Sequence, residues 1–301
     1  MISRTVLALA IAASSISQEV VLRPRLVAGD EFRIEVSQTR EDSTNPQSNY
    51  TSKTPVTIKV LSATARGFIV EWRPNRTSLE GPGAKIDPAL ITATQLIGDV
   101  SVKLALSADG EFERVENEAE LLPKFQSLID VLVRENAKTM PAEQADRFRA
   151  FIKEMLSPAV LVAIISKDAQ TYLSMYGVAL ARGESVEARL EQPNPFGGDP
   201  IPAVLKLRMS EVTADTATLD ATTTFDPAVL AKVTLGLLEK AGQKAPDEVT
   251  KLPFELIDTS KVVFDRKIGL ISEVTVTRGI TFGPAKRTER WLITLVTPPK
   301  R

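Results

Sequence analysis

Three carboxylates, Asp109, Glu111 and Glu113, stand within one short stretch, and the two glutamates are two residues apart, which on a strand puts them on one face. Paired carboxylates of this kind do general acid and base work or hold a hard cation such as calcium, the chemistry of a carboxylate- or calcium-dependent hydrolase. The same residues also read as ordinary structure: Asp109-Gly110 is a tight-turn signal, and alternating glutamates are normal on a solvated strand face. The other candidates are contact residues rather than catalysts. Phe196 and Asp199 lie in a proline-stiffened loop over residues 192–202, Tyr50 lies in an equivalent loop over residues 39–54, and Trp72 ends a short apolar strand. An aromatic on a stiff loop offers a large contact area to an apolar ligand or a protein partner, or else tucks back onto the sheet. The apolar run over residues 159–165 lines a pocket or is a buried helix, by the same choice between site and core.

What the chain lacks narrows its chemistry further. With no histidine and no cysteine among 301 residues, a Ser-His-Asp triad, a Cys-His pair, thiolate or imidazole metal sites and disulfides are all excluded. No glycine-rich phosphate loop, dinucleotide fingerprint or Gly-x-Ser-x-Gly elbow occurs, so the reading names no catalytic residue, no cofactor and no metal. Thirty-seven basic against 38 acidic residues leave a net charge of −1, and aromatics make up only 5%, which argues against nucleic acid as a partner.

The N-terminus has the order of a secretory leader: Arg4, an apolar run over residues 6–13, then small residues, with cleavage expected near Ser17. The expected location is periplasmic or secreted. No later apolar stretch approaches the ~20 residues of a transmembrane helix, so the mature chain is expected to carry no transmembrane segment.

The elements that must position these residues show an internal repeat. After Gly29 the alternating Phe32, Ile34 and Val36 predict a half-buried strand; after Gly183 the alternating Val186, Ala188 and Leu190 predict its counterpart. Each is followed by a turn-rich loop, a strand opening on a proline (Pro55, Pro202), a reversal, a third strand (residues 68–72 and 216–222), an Asp-Pro helix start (Asp87, Asp226) and a hairpin. A last strand over residues 286–296, with Trp291, Ile293 and Leu295 inward, has no counterpart in the first copy and is expected to extend the second sheet. Residues 119–177 switch to helical spacing. The predicted fold is therefore α+β: two related, largely antiparallel sheet halves, residues 18–118 and 178–301, braced by a helical insert over 119–177, with a helix at about 227–242 in the second half.

The Gly-Asp-x-Phe-x-Ile-x-Val pattern at residues 29–36, the strand pair, the Asp109-Gly110 hairpin, the helices and the second round of strands resemble bacterial exported domain families of unknown function. That resemblance implies an envelope location and carries over no catalytic residues. In architecture alone the pattern is similar to periplasmic carriers of lipids and lipoproteins, in which a curved antiparallel sheet and helices enclose an apolar cavity; this implies an apolar small molecule or an envelope protein as partner. The function expected from these readings is non-enzymatic binding in the envelope, with the hydrolase and a purely structural envelope component as the alternatives.

Overall fold

The alternation after Gly29 becomes a strand, β2 (Glu31–Asp42), in which Phe32, Ile34 and Val36 are buried while Glu31 and Arg33 face water. The computed structural model describes residues 19–83, 100–137, 141–155, 157–192, 200–240 and 254–299, and within them antiparallel strand predominates over helix, an α+β arrangement. Before β2 comes β1 (Val20–Val21); after it come β3 (Tyr50–Thr64), β4 (Gly67–Pro74), β5 (Ser78–Glu80), β6 (Val102–Ser107) and β7 (Phe112–Val115). Three helices follow, α1 (Glu118–Ala137), α2 (Ala142–Met155) and α3 (Pro158–Leu173). The chain then forms β8 (Ala179–Leu180), β9 (Ser185–Gln192), β10 (Ile201–Val212), β11 (Thr216–Phe225), α4 (Pro227–Lys240), β12 (Phe254–Asp265), β13 (Leu270–Phe282) and β14 (Ala285–Thr297).

Twelve of the strands make one antiparallel sheet in the order β7-β6-β4-β3-β2-β14-β13-β12-β11-β10-β9, with β5 added on β3, while β1 and β8 form a separate ribbon. The strand expected only to extend the second sheet does more. β14 pairs with β13 on one side, Ile293 opposite Val274, and with β2 on the other, Ile293 opposite Val36, so a single ladder runs through the first and second rounds of strands.

Two boundaries differ from those predicted. The stretch over residues 39–54, expected as a loop, is mostly strand: β2 continues to Asp42, β3 begins at Tyr50, and only residues 43–49 connect them. Its serines and threonines look like turn composition, but threonine is also a good strand former, and Thr39 and Thr51 meet across the ladder with their hydroxyl oxygens 3.3 Å apart. Likewise β12 begins at Phe254, ahead of the expected Lys261. The helix starting at Asp87 and the leader lie outside the described residues. At Asp226 the helix start is realised, its Oδ1 accepting the amides of Ala228 at 2.8 Å and Val229 at 3.3 Å.

The same local geometry appears twice along the chain. Gly29 donates to Val60 O and Val60 to Asp30 O, while Asp30 Oδ2 accepts from Val27; Gly183 donates to Met209 O and Met209 to Glu184 O, while Glu184 Oε2 accepts from Ala181. A register shift follows in each case, between Val60 and Ser62 and between Met209 and Glu211. The helical start after the first hairpin and the long chain to β8 leave α3 lying against β7 and β13, where it covers the buried face of the sheet. Its docking is polar as well as apolar: Tyr172 Oη donates to Ile271 O at 2.7 Å, and Ile271 N donates to Tyr176 Oη at 3.1 Å. Around them Trp72, Tyr172, Tyr176 and Phe264 pack ring to ring with centroids 6.2–6.4 Å apart.

Candidate functional site

Strand alternation gives the sheet an inner face, and register shows which residues share it. Val36, Ile293, Val274 and Val262 lie side by side across β2, β14, β13 and β12 and are all buried. Two residues further along each strand, at the same parity, the seal loosens and the chemistry changes. β2 presents Gln38, Arg40 and Asp42, β14 presents Trp291, Glu289 and Arg287, β13 presents Val276 and Arg278, and β12 presents Ser260 and Asp258. Beyond the charged residues the face turns apolar again: Leu256 lies opposite Ile280 and Phe254 opposite Phe282, the two rings edge to face at 5.8 Å, and all four side chains are half-buried.

The charged band is ordered by specific contacts. Arg278 grips Asp258 with two parallel bonds, Nε to Oδ1 at 2.8 Å and Nη2 to Oδ2 at 2.7 Å, and this pairing holds the guanidinium pKa up. Arg287 pairs with Glu289, which is only 7% exposed. From above, α3 brings Lys167 over the Trp291 ring, its Nζ 4.2 Å from the centroid, and Arg278 approaches the same ring at 5.8 Å. Lys167 remains open to solvent yet stands among enough protein that desolvation, followed by repulsion from Arg278, lowers its pKa. The adjacent Asp168 is pushed the other way, its pKa raised by burial and only partly brought back by Lys167. Among the described residues the Nε atoms of Arg40 and Arg287 are buried without a hydrogen-bond partner.

The structure does not gather the residues picked out by sequence into one site. Phe196 and Asp199 lie outside the described residues. Tyr50 is not in a loop but opens β3, opposite Arg40, at the rim of the charged band. Trp72 is 4% exposed and its ring is taken up by Tyr172, which makes it part of the core. Asp109 is held by Arg23 at 2.6 Å, Glu111 lies against Gly177, and Glu113 is 3.8 Å from Arg114, so the three carboxylates point to three different neighbours. Among the described residues no cluster of three acidic side chains is arranged to hold a metal ion. A cavity of about 400 Å³ beside them is lined by Arg23, Pro24, Arg25, Phe264 and Arg266, but its arginines are engaged with Asp109, Lys267 O and Thr213 O respectively.

Lys167, Arg278, Arg40 and Asp258 were not singled out by sequence. The available signal was parity: each strand residue among them falls on the inward phase of an apolar alternation, as Arg278 does between Val276 and Ile280.

Comparison with known proteins adds little to this geometry. No family model matches the chain, the exported families of unknown function included, and no curated protein matches it. Among solved structures, lipovitellin, described under the heading of lipid-protein interactions, aligns over 89% of this chain and 25% of its own at 9% identity, with a TM-score of 0.44. The chain thus spans about a quarter of that protein's length, and likeness at this level transfers neither a detailed fold nor a ligand. Among the described residues no helix is long and apolar enough to cross a membrane.

Proposed function

We propose that the protein is an exported, non-enzymatic binding protein of the cell envelope that takes an apolar ligand on the inner face of its sheet. One observation carries this reading. Along β12 and β13 the inner face ends not in polar, solvent-adapted residues but in a half-buried apolar strip, Leu256, Ile280, Phe254 and Phe282, set beyond the charged band. Leaving four large apolar side chains half in water forgoes several kcal/mol of burial, roughly 1 kcal/mol for each, which an apolar ligand would recover. Export rests on the leader pattern at residues 1–17.

The architecture behind the site is read as a duplication, two related sheet halves braced by a helical insert. The paired turns at Gly29 and Gly183 and the paired register shifts at Val60 and Met209 support it. In this reading β14 is the added piece that splices the halves, and the binding face forms where β14, β13 and β12 lie together.

The test is to express the full chain in a bacterium, recover it from the periplasm without detergent and record a native mass spectrum. The expected species is residues 18–301 with a lipid-sized adduct that organic extraction removes and Phe282→Asp abolishes. Mature protein that is free of ligand, and that takes up neither palmitate nor hexadecanol when they are offered, overturns the binding reading; an uncleaved cytoplasmic chain overturns export.

A further inference from the structure

The sheet ends on one side in β7, four residues long, and on the other in β9, eight residues long. Among the described residues β9 pairs with β10 alone. Met209 N–H donates to Glu184 O, so the even-numbered residues of β9 turn their peptide groups to β10, and the odd-numbered ones, Ser185, Glu187, Arg189 and Glu191, turn theirs outward. An outward row of N–H and C=O groups is a template for another strand. In β2, which the duplication reading makes the counterpart of β9, the strand β14 lies along the corresponding edge.

Edge strands are commonly blunted by lysine, proline or a bulge, and β9 has none of these between Ser185 and Gln192. Its charges alternate in sign instead, and the order Val186-Glu187-Ala188-Arg189-Leu190 is complementary to its own reverse. Laid antiparallel on a second copy about Ala188, Glu187 stands opposite Arg189, Val186 opposite Leu190 and Ser185 opposite Glu191, each twice by symmetry. The peptide groups agree with this register, because the pairs Glu187–Arg189 and Ser185–Glu191 are those that face outward. Centred on Arg189 instead, Arg189 faces itself and Glu187 faces Glu191; centred on Glu187, that carboxylate faces itself. Val186, on the inward parity yet 36% exposed, comes against Leu190 of the second copy at the closer, non-hydrogen-bonded spacing. Glu187 already meets Lys206 of β10 at 3.2 Å, whereas Arg189 makes no ion pair among the described residues, although Glu187 and Glu191 flank it on the same face. Exposed charges of this kind add little attraction and act on register and choice of partner, while main-chain bonds and the cover over Val186 supply the binding.

We infer that β9 is a self-association edge, through which two copies of the chain join antiparallel about a two-fold axis at Ala188 so that one sheet continues through both. The inference is independent of the apolar-ligand reading. One strand from each copy makes a small interface, so the dimer is weak and concentration-dependent.

The test is analytical ultracentrifugation from low to high micromolar concentration of the protein recovered by expressing the full chain, as wild type, Arg189→Glu, Glu187→Arg and Arg189→Pro, each first shown to fold by circular dichroism. The wild type should pass from monomer to dimer across this range. Arg189→Glu and Glu187→Arg should each weaken self-association about tenfold, since both put like charges opposite at two positions. An equimolar mixture of the two should dimerise again, because two glutamates on one copy then face two arginines on the other; a variant that had merely lost its fold would not be rescued by mixing. Arg189→Pro removes an outward N–H without touching the β10 ladder and should leave a folded monomer. A wild type that stays monomeric throughout overturns the inference and leaves the edge to a strand of a different protein. Dimerisation undiminished in Arg189→Glu and Arg189→Pro overturns it by placing the interface elsewhere, and charge variants that remain monomeric when mixed overturn the antiparallel register about Ala188.

Discussion

Tyr172→Phe isolates one hydrogen bond on which the placement of α3, and so of Lys167, depends. Tyr172 is 1% exposed, and the substitution keeps its ring, its contacts with Trp72 and Tyr176 and the apolar area it buries. Only the hydroxyl goes, and with it the acceptor's partner at Ile271 O, 2.7 Å away. On the β14 side the sheet offers no replacement, because the β13–β14 ladder begins at Glu273 opposite Thr294 and Ile271 lies beyond it. A buried carbonyl left unpaired costs about 1–3 kcal/mol, which for a chain of this size lowers Tm by roughly 2–5 °C. Tyr176→Phe should cost a similar amount through the orphaned Ile271 N–H. Since both hydroxyls serve the backbone of the same residue, Ile271, and lie against each other, their losses should not add; a double-mutant cycle is expected to give about 0.5–3 kcal/mol of coupling. Urea denaturation followed by tryptophan fluorescence measures all three variants. A loss below about 0.5 kcal/mol for Tyr172→Phe would show that the carbonyl finds another donor and that α3 is held by packing alone.

Two further outcomes follow from single positions. Gly67→Ala should destabilise severely, by about 3 kcal/mol or more, because φ is +146° there and a Cβ would stand 2.0 Å from Leu106 O on the neighbouring strand; expression yield and Tm report it, and a Tm within a degree of wild type contradicts the β4–β6 pairing. Asp168→Asn should raise stability at neutral pH. The native Asp168 carboxyl has its pKa raised by burial, so the ionised side chain is a cost above that pKa, relieved as pH falls through it and gone below the unfolded value near 3.9. The variant's advantage in Tm should therefore shrink steadily on acidification, and an advantage independent of pH would point to a packing effect instead.

Much of the fold was legible because its signals are local. Alternation after Gly29 and Gly183, Pro202 near the start of β10, Asp226 capping a helix and Asp109-Gly110 closing a hairpin each act within a few residues, and Gly110 duly adopts φ +88°; Pro55, expected to open a strand, lies inside β3 instead. Boundaries failed where composition pulled two ways, as in the threonine-rich ends of β2 and β3, where cross-strand pairing decides and the single strand cannot announce it. Val186 shows a related limit: its parity is right for burial, but β9 is the last strand of the sheet and leaves it 36% exposed.

The site was harder to read for a topological reason. Arg40, Lys167, Asp258, Arg278 and Trp291 are scattered over most of the chain, and no spacing links them until β14 is placed between β2 and β13. That placement converts three unremarkable polar interruptions of apolar strands into one band, and α3 adds Lys167 only because Tyr172 and Tyr176 fix its position on β13. What the sequence did hold was the misfit itself: a cation at an inward position, as at Arg40 and Arg278, has to be neutralised, hydrated or left waiting for an anion. Arg278 is held by Asp258 and Arg287 by Glu289, whereas Arg40, in register with Glu289 and two residues from Asp42, makes no ion pair within the described residues; no single strand could announce which of these chemically similar residues pairs with which.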